Sequence, residues 1–204
     1  MTRTIGLLAG SISALGYVIY AWYLITTPRN DKTLTPWIIW SLVGALVLKS
    51  YLTVGSSGHE TVDSAWVLVV YAIGPPIVLS ILLVHRKIRS APFTLLDKLF
   101  LAASAISGLY LWRFDEGVLP LHVNALIDAS GGVLLARHVW HAPRSESLAA
   151  WSMFGVAGIL NLFAVQHWSY VYVVYPLTLA AMTVGIPLVI AIRRRSTSRS
   201  SLVG

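Results

Sequence analysis

The sequence predicts an all-α polytopic membrane protein with seven transmembrane helices, in a 3+1+3 architecture with a parallel internal repeat. Composition is the first observation behind this. Of 204 residues, 56% are hydrophobic and only 11% charged, with a mean hydropathy of +0.73, whereas a soluble domain carries about a quarter charged residues. The second is a series of seven apolar stretches, each near the length of about 20 residues that a spanning helix requires. The third is self-similarity between the two ends of the chain.

The spans read as follows. Ile5 to Thr26 runs up to the polar break at Pro28, and Trp37 to Val54 runs to the Gly and Ser cluster that follows it. Ala65 to Val84 ends at a basic run, and Phe93 to Trp112 ends at Arg113. Leu121 to Trp140 ends before Pro143, Leu148 to Val165 before Gln166, and Tyr170 to Ile192 at Arg193. The connecting loops are too short to hold an extramembrane catalytic or DNA-binding domain. The first apolar stretch is long enough to span rather than to act as a cleaved signal peptide.

Fifteen Lys and Arg against eight Asp and Glu give a pI of about 9.9. Placement decides what this means. Arg29, Lys32, Arg86, Lys87, Arg89, Lys98, Arg137, Arg144, Arg193, Arg194, Arg195 and Arg199 fall on one side, and only Arg3 and Arg113 on the other. Short cytoplasmic loops carry the cationic excess, so the N-terminus is expected outside and the C-terminus inside. The basic balance is thus a topology signal, and nucleic acid is not an expected partner. The expected partners are the lipid bilayer and a small polar solute, with homo-oligomerisation left open. The absence of cysteine excludes disulfides, thiolate metal sites and cysteine nucleophiles.

The repeat appears when the chain is laid on itself. At an offset of 115, Gly16, Val18, Pro28 and Arg29 meet Gly131, Val133, Pro143 and Arg144. At 114, Leu34, Trp37, Gly44, Leu46 and Leu48 meet Leu148, Trp151, Gly158, Leu160 and Leu162. At 104, Val67, Val69, Val70 and Tyr71 meet Val171, Val173, Val174 and Tyr175, while Gly74 to Pro76 aligns with Gly185 to Pro187 at 111. The division that follows is a first three-helix bundle at 1–90, a linker helix at 91–117, a second bundle at 118–195 and a cytoplasmic tail at 196–204.

Pro28-Arg29 with Lys32-Thr33-Leu34-Thr35 and Trp37 resembles the PQ-loop motif of the SWEET and SemiSWEET superfamily, and Pro143 to Leu148 with Trp151 is similar. Arg29 and Arg144 stand where that motif has Gln. Asp128 to Trp151 together with Thr94 and Asp97 looks like a group of uncharacterised bacterial seven-helix proteins of the same superfamily. The resemblance implies a SWEET-like fold and facilitated movement of a small solute between two triple-helix bundles.

Two ionisable residues, Lys49 and Asp128, fall inside spans, where a charge is costly and marks a functional candidate. At 1.5 Å per residue they lie about 8 and about 10 Å below the outer end. Asn124, Asn161 and Ser13 fall in the same layer. These five form the expected solute-binding set, with Asp128 and Lys49 paired or binding solute. Lys49 snorkelling to the interface and Asp128 bonding structurally are the competing readings.

Trp37 and Trp151 begin the second and sixth spans and are read either as a symmetric inner gate or as interfacial anchors. Tyr71 and Tyr175 lie deeper and need partners for their hydroxyls, so gating and packing both stand. Trp112, Trp140, Trp168 and Tyr170 sit at span ends as belt residues. Pro75, Pro76, Pro176 and Pro187 predict kinks in the third and seventh spans, and Thr94 with Asp97 reads as a capping box. His138 and His141 have helical spacing, but Arg137 and Arg144 beside them disfavour a cation, so no metal or cofactor is expected. The last span has no lysine, which excludes a retinal Schiff base. The expected function is a carrier of a small polar solute. A non-transporting receptor or assembly module is the alternative, and catalysis is not expected because no catalytic set converges at one depth.

Overall fold

The computed structural model describes residues 1–27, 33–57, 65–84, 93–113 and 119–200. The loop residues Pro28 and Arg29, and the cations Lys32, Arg86, Lys87 and Arg89, lie outside the described residues, as do the side chains of Trp112 and Arg199. Seven helices follow in order: α1 (Thr2–Thr26), α2 (Thr35–Ser57), α3 (Ala65–Val84), α4 (Leu95–Arg113), α5 (Leu119–His141), α6 (Leu148–Phe163) and α7 (Tyr170–Ser200). Among the described residues there is no strand.

Among the described residues, α1, α2, α3, α5 and α7 are long and apolar enough to cross a membrane. The architecture is compatible with a multi-pass integral membrane protein. Large apolar side chains such as Val18, Ile73, Leu109 and Leu188 are exposed on the outside of the bundle, which suits lipid and not water. The sixth segment departs from expectation. Its helix has 16 residues, a length of about 24 Å against a hydrocarbon core of about 30 Å. It ends where the Ala164 N–H turns back onto the Asn161 carbonyl, tightening the last turn. In the opposite sense, α7 continues past Ile192 to Ser200.

Helix starts follow from local chemistry. Thr94 and Asp97 form the expected capping box: the Thr94 N–H donates to Asp97 Oδ2 at 2.8 Å, and the Asp97 N–H donates to Thr94 Oγ1 at 3.2 Å. The Ser147 hydroxyl accepts from the Ala150 N–H at the start of α6. Helices α3 and α7 run on through their prolines, as membrane helices can when neighbours compensate.

Small residues set the packing. On α1 the buried positions Gly6, Ala9, Gly10, Ser13 and Gly16 share one face, which widens to Tyr20 and Leu24. Such a stripe lets helix backbones approach closely. Helix α1 packs on α3 and α6, α5 packs on α7 and α2, α2 packs on α3, and α6 packs on α7. Helix α4 rests on α2 and α5.

The same contact is made twice. A Cβ on Gly16 would stand 2.7 Å from the Phe154 ring, and one on Gly131 would stand 2.6 Å from Trp40 Nε1. These two pairs have the offsets of 115 and 114 read from the sequence. The third helices differ from that reading. Gly44 approaches the Ala72 backbone and Gly158 the Ala180 backbone, contacts that pair at an offset of 108 and not at 104 or 111.

Candidate functional site

Asp128 on α5 is wholly buried. The Tyr71 hydroxyl, from α3, donates to its Oδ1, and the Tyr175 hydroxyl, from α7, donates to its Oδ2 at 3.1 Å. The Trp40 indole N–H, from α2, donates to the Asp128 backbone carbonyl at 3.1 Å. One residue is thus tied to three neighbouring helices, and both tyrosines find the hydroxyl partner that burial demands.

A cavity of about 30 Å³ lies next to this knot. Ser13 and Tyr17 line it from α1, Trp40 from α2, Tyr71 from α3, Trp151 and Phe154 from α6, and Thr183 from α7. Its volume admits two or three water molecules, given about 10–15 Å³ for each.

An aromatic stack closes the end of the cavity that faces the α5–α6 loop. Tyr20 lies 4.9 Å from Trp37, Trp37 lies 5.1 Å from Trp40 edge-on, and Trp40 lies 5.9 Å from Trp151 between ring centroids. Trp37 and Trp151 are 6.4 Å apart and almost fully buried. They are core residues and do not stand in an interfacial belt, so the anchoring reading fails for both. Trp140, Trp168 and Tyr170 do sit exposed.

Below this stack the α5–α6 loop folds over the bundle. Glu146 is completely buried, and its Oε2 accepts from the Tyr20 hydroxyl at 2.7 Å and from the Trp151 N–H at 3.0 Å. Arg194 on α7 donates to the Pro143 and Glu146 carbonyls, and the Tyr23 hydroxyl donates to the Arg144 carbonyl. Arg193 donates to the Trp140 carbonyl and lies over the Trp140 ring, 4.7 Å from its centroid. These bonds account for the extra length of α7.

The expected solute-binding set is only partly assembled. Ser13 lines the cavity, whereas Asp128 does not and meets it through the lining residue Tyr71. Lys49 is exposed on α2 and does not meet the buried Asp128, so the paired arrangement is not formed. Asn124 turns to α2, where its Nδ2 donates to Ser50 Oγ at 3.1 Å, and its Oδ1 has no partner among the described residues. Asn161 is buried with neither amide atom bonded among the described residues, and it does not line the cavity. Pro143 and Arg144 belong to the folded-over loop.

Sequence reasoning missed Glu146, Tyr17, Tyr20 and Trp40. Trp40 had a signal, since it follows Trp37 by three residues and so shares its helix face. Glu146 had none, because an acid between two serines and two residues from Arg144 reads as a solvated loop residue. Among the described residues no group of three or more His, Asp or Glu converges as a metal site would require. Compared with protein-family models, curated proteins and solved structures, the chain matches none.

Proposed function

We propose that the chain is a SWEET-like carrier of a small polar solute. In this reading all seven helices span, residues 1–90 and 118–195 form two three-helix units, and 91–117 supplies the linker helix. The N-terminus lies outside and the tail at 196–204 lies inside a bacterial inner membrane. The observation that carries the proposal is the Asp128 knot beside a small cavity walled by helices from both units. Paired packing of Gly16 on Phe154 and of Gly131 on Trp40 supports the repeat. A carrier needs a site that can close on both sides, and the Glu146 loop, folded beside the aromatic stack, supports this at one end. Uptake into proteoliposomes is the test: solute-dependent counterflow is expected from the wild-type chain and none from Asp128→Asn. Unchanged counterflow in that variant removes Asp128 from the pathway.

The second reading is a non-transporting receptor or assembly module. It draws support from the mainly aromatic wall of the cavity and from its volume of about 30 Å³. Ligand binding without flux in the same vesicles decides for it.

A further inference from the structure

We infer that the ligand of the Asp128 site is a small organic cation of the ammonium class; this rests on the reading of the cavity as a solute site. A carboxylate taken out of water is normally matched by a cation. Asp128 is buried, yet its carboxylate meets only the two tyrosine hydroxyls among the described residues. The described cations on the surrounding helices lie elsewhere. Lys49 is exposed on α2, and Arg137 is exposed on α5, about 13 Å along the axis from Asp128. Arg193 and Arg194 are bonded to carbonyls of the α5–α6 loop region.

Hydrogen-bonding capacity points the same way. An ionised carboxylate has about four lone-pair sites, and the hydroxyls of Tyr71 and Tyr175 take one on each oxygen. Acceptor capacity remains for a donor that also brings positive charge. Neighbouring walls are built for such a group. Tyr17, Trp37, Trp40, Trp151 and Phe154 bring aromatic rings to the one cavity, and their faces attract cations, quaternary ammonium groups above all. A sugar site needs convergent donors and acceptors for several hydroxyls. Here Ser13, Tyr17, Tyr71 and Thr183 bring the hydroxyls, that of Tyr71 is already bonded to Asp128, and the rest of the wall is rings and apolar side chains. An anion is repelled by Asp128 and finds no cationic side chain among the lining residues. A cavity of about 30 Å³ fits only the head of the ligand, so the helices must part to admit anything larger than methylammonium.

The experiment uses the full chain in nanodiscs, with methylammonium, tetramethylammonium, glucose and acetate as probes and tryptophan fluorescence as the readout. Saturable quenching or enhancement by both ammonium ions is expected, with no response to glucose or acetate. Asp128→Asn, which keeps the shape of the side chain, should raise the dissociation constant for both cations at least tenfold while the protein still elutes as a single folded species. Should that variant fail to fold, Tyr17→Leu, at a half-buried ring, should weaken tetramethylammonium several-fold. Cation binding that neither variant alters, or no cation binding at all, overturns the inference. Vesicle flux of tetramethylammonium and glucose separates the two readings. Glucose flux without cation binding leaves a carrier and removes the ammonium site. Cation binding at Asp128 without flux keeps the site and removes the carrier.

Discussion

Trp40 reaches Asp128 because residue 131 is glycine: a β-carbon at Gly131 would stand 2.6 Å from the indole Nε1 that donates to the Asp128 carbonyl. The two residues are on α2 and α5, 88 positions apart in the chain, so this contact ties the bundle together as well as the site. Gly131→Ala forces the ring out of a close-packed core, where overpacking costs about 1–3 kcal/mol. The expected outcome is a lower melting temperature in detergent together with a change in tryptophan fluorescence. Gly16→Ala, against Phe154, should destabilise by a similar amount without the indole signal. A neutral Gly131→Ala would mean that the bundle opens readily at this point.

Tyr71 and Tyr175 share one acceptor group, and a double-mutant cycle will expose that sharing. A hydrogen bond to a charged group contributes about 1.5–3 kcal/mol. Tyr71→Phe and Tyr175→Phe should each lower stability by about that much. Groups in one network couple, so the double variant should depart from the sum of the singles by more than about 0.5 kcal/mol. Strict additivity, measured by reversible unfolding in mixed micelles, would show that the two hydroxyls act independently.

Much of this architecture was legible in the chain, and the illegible part has physical causes. Helix positions follow from apolar length, and the depth of Asp128 follows from the rise per residue. Depth alone does not give the face. Lys49 and Ser50 differ by one residue, about 100° around the helix, and that turns Ser50 into the core beside Asn124 while Lys49 stays exposed. Helix α2 is apolar on most of its circumference, so nothing in its own pattern says which side is buried. Register in the third helices is ambiguous in the sequence for a related reason. Runs of valine before a tyrosine occur in both α3 and α7 and match at 104, but the glycine contacts that set the packing place Ala72 opposite Ala180. Glu146 could not be found from local sequence at all, since its two donors come from α1 and α6.

Glu146 supplies the next prediction. Replacing it by alanine strands the buried Tyr20 hydroxyl and Trp151 N–H, which both end on Oε2. Each unsatisfied buried donor costs about 1–3 kcal/mol, so Glu146→Ala should lose roughly 2 kcal/mol or more. Glu146→Gln keeps an acceptor oxygen and should lose less. Because these bonds fasten the loop over the aromatic stack, the alanine variant should also expose Trp37 and Trp151 to collisional quenching by iodide. Equal losses in the two variants, with unchanged quenching, would reduce the loop to a passive connection.

Orientation is open to a direct test because the chain contains no cysteine, so a single introduced thiol is the sole labelling site. Arg3 and Ser196 are both exposed, near the start of α1 and in the last turns of α7. The cationic bias puts the first outside and the second inside. In intact cells a membrane-impermeant maleimide should label Arg3→Cys at once, and Ser196→Cys only after permeabilisation. Seven spans require the two ends to be on opposite sides, whereas labelling of both from the same side means an even number of crossings. That second result would fall first on α6, whose 16 residues are the shortest to cross, and would leave the Glu146 loop and the Asp128 knot in need of a different membrane placement.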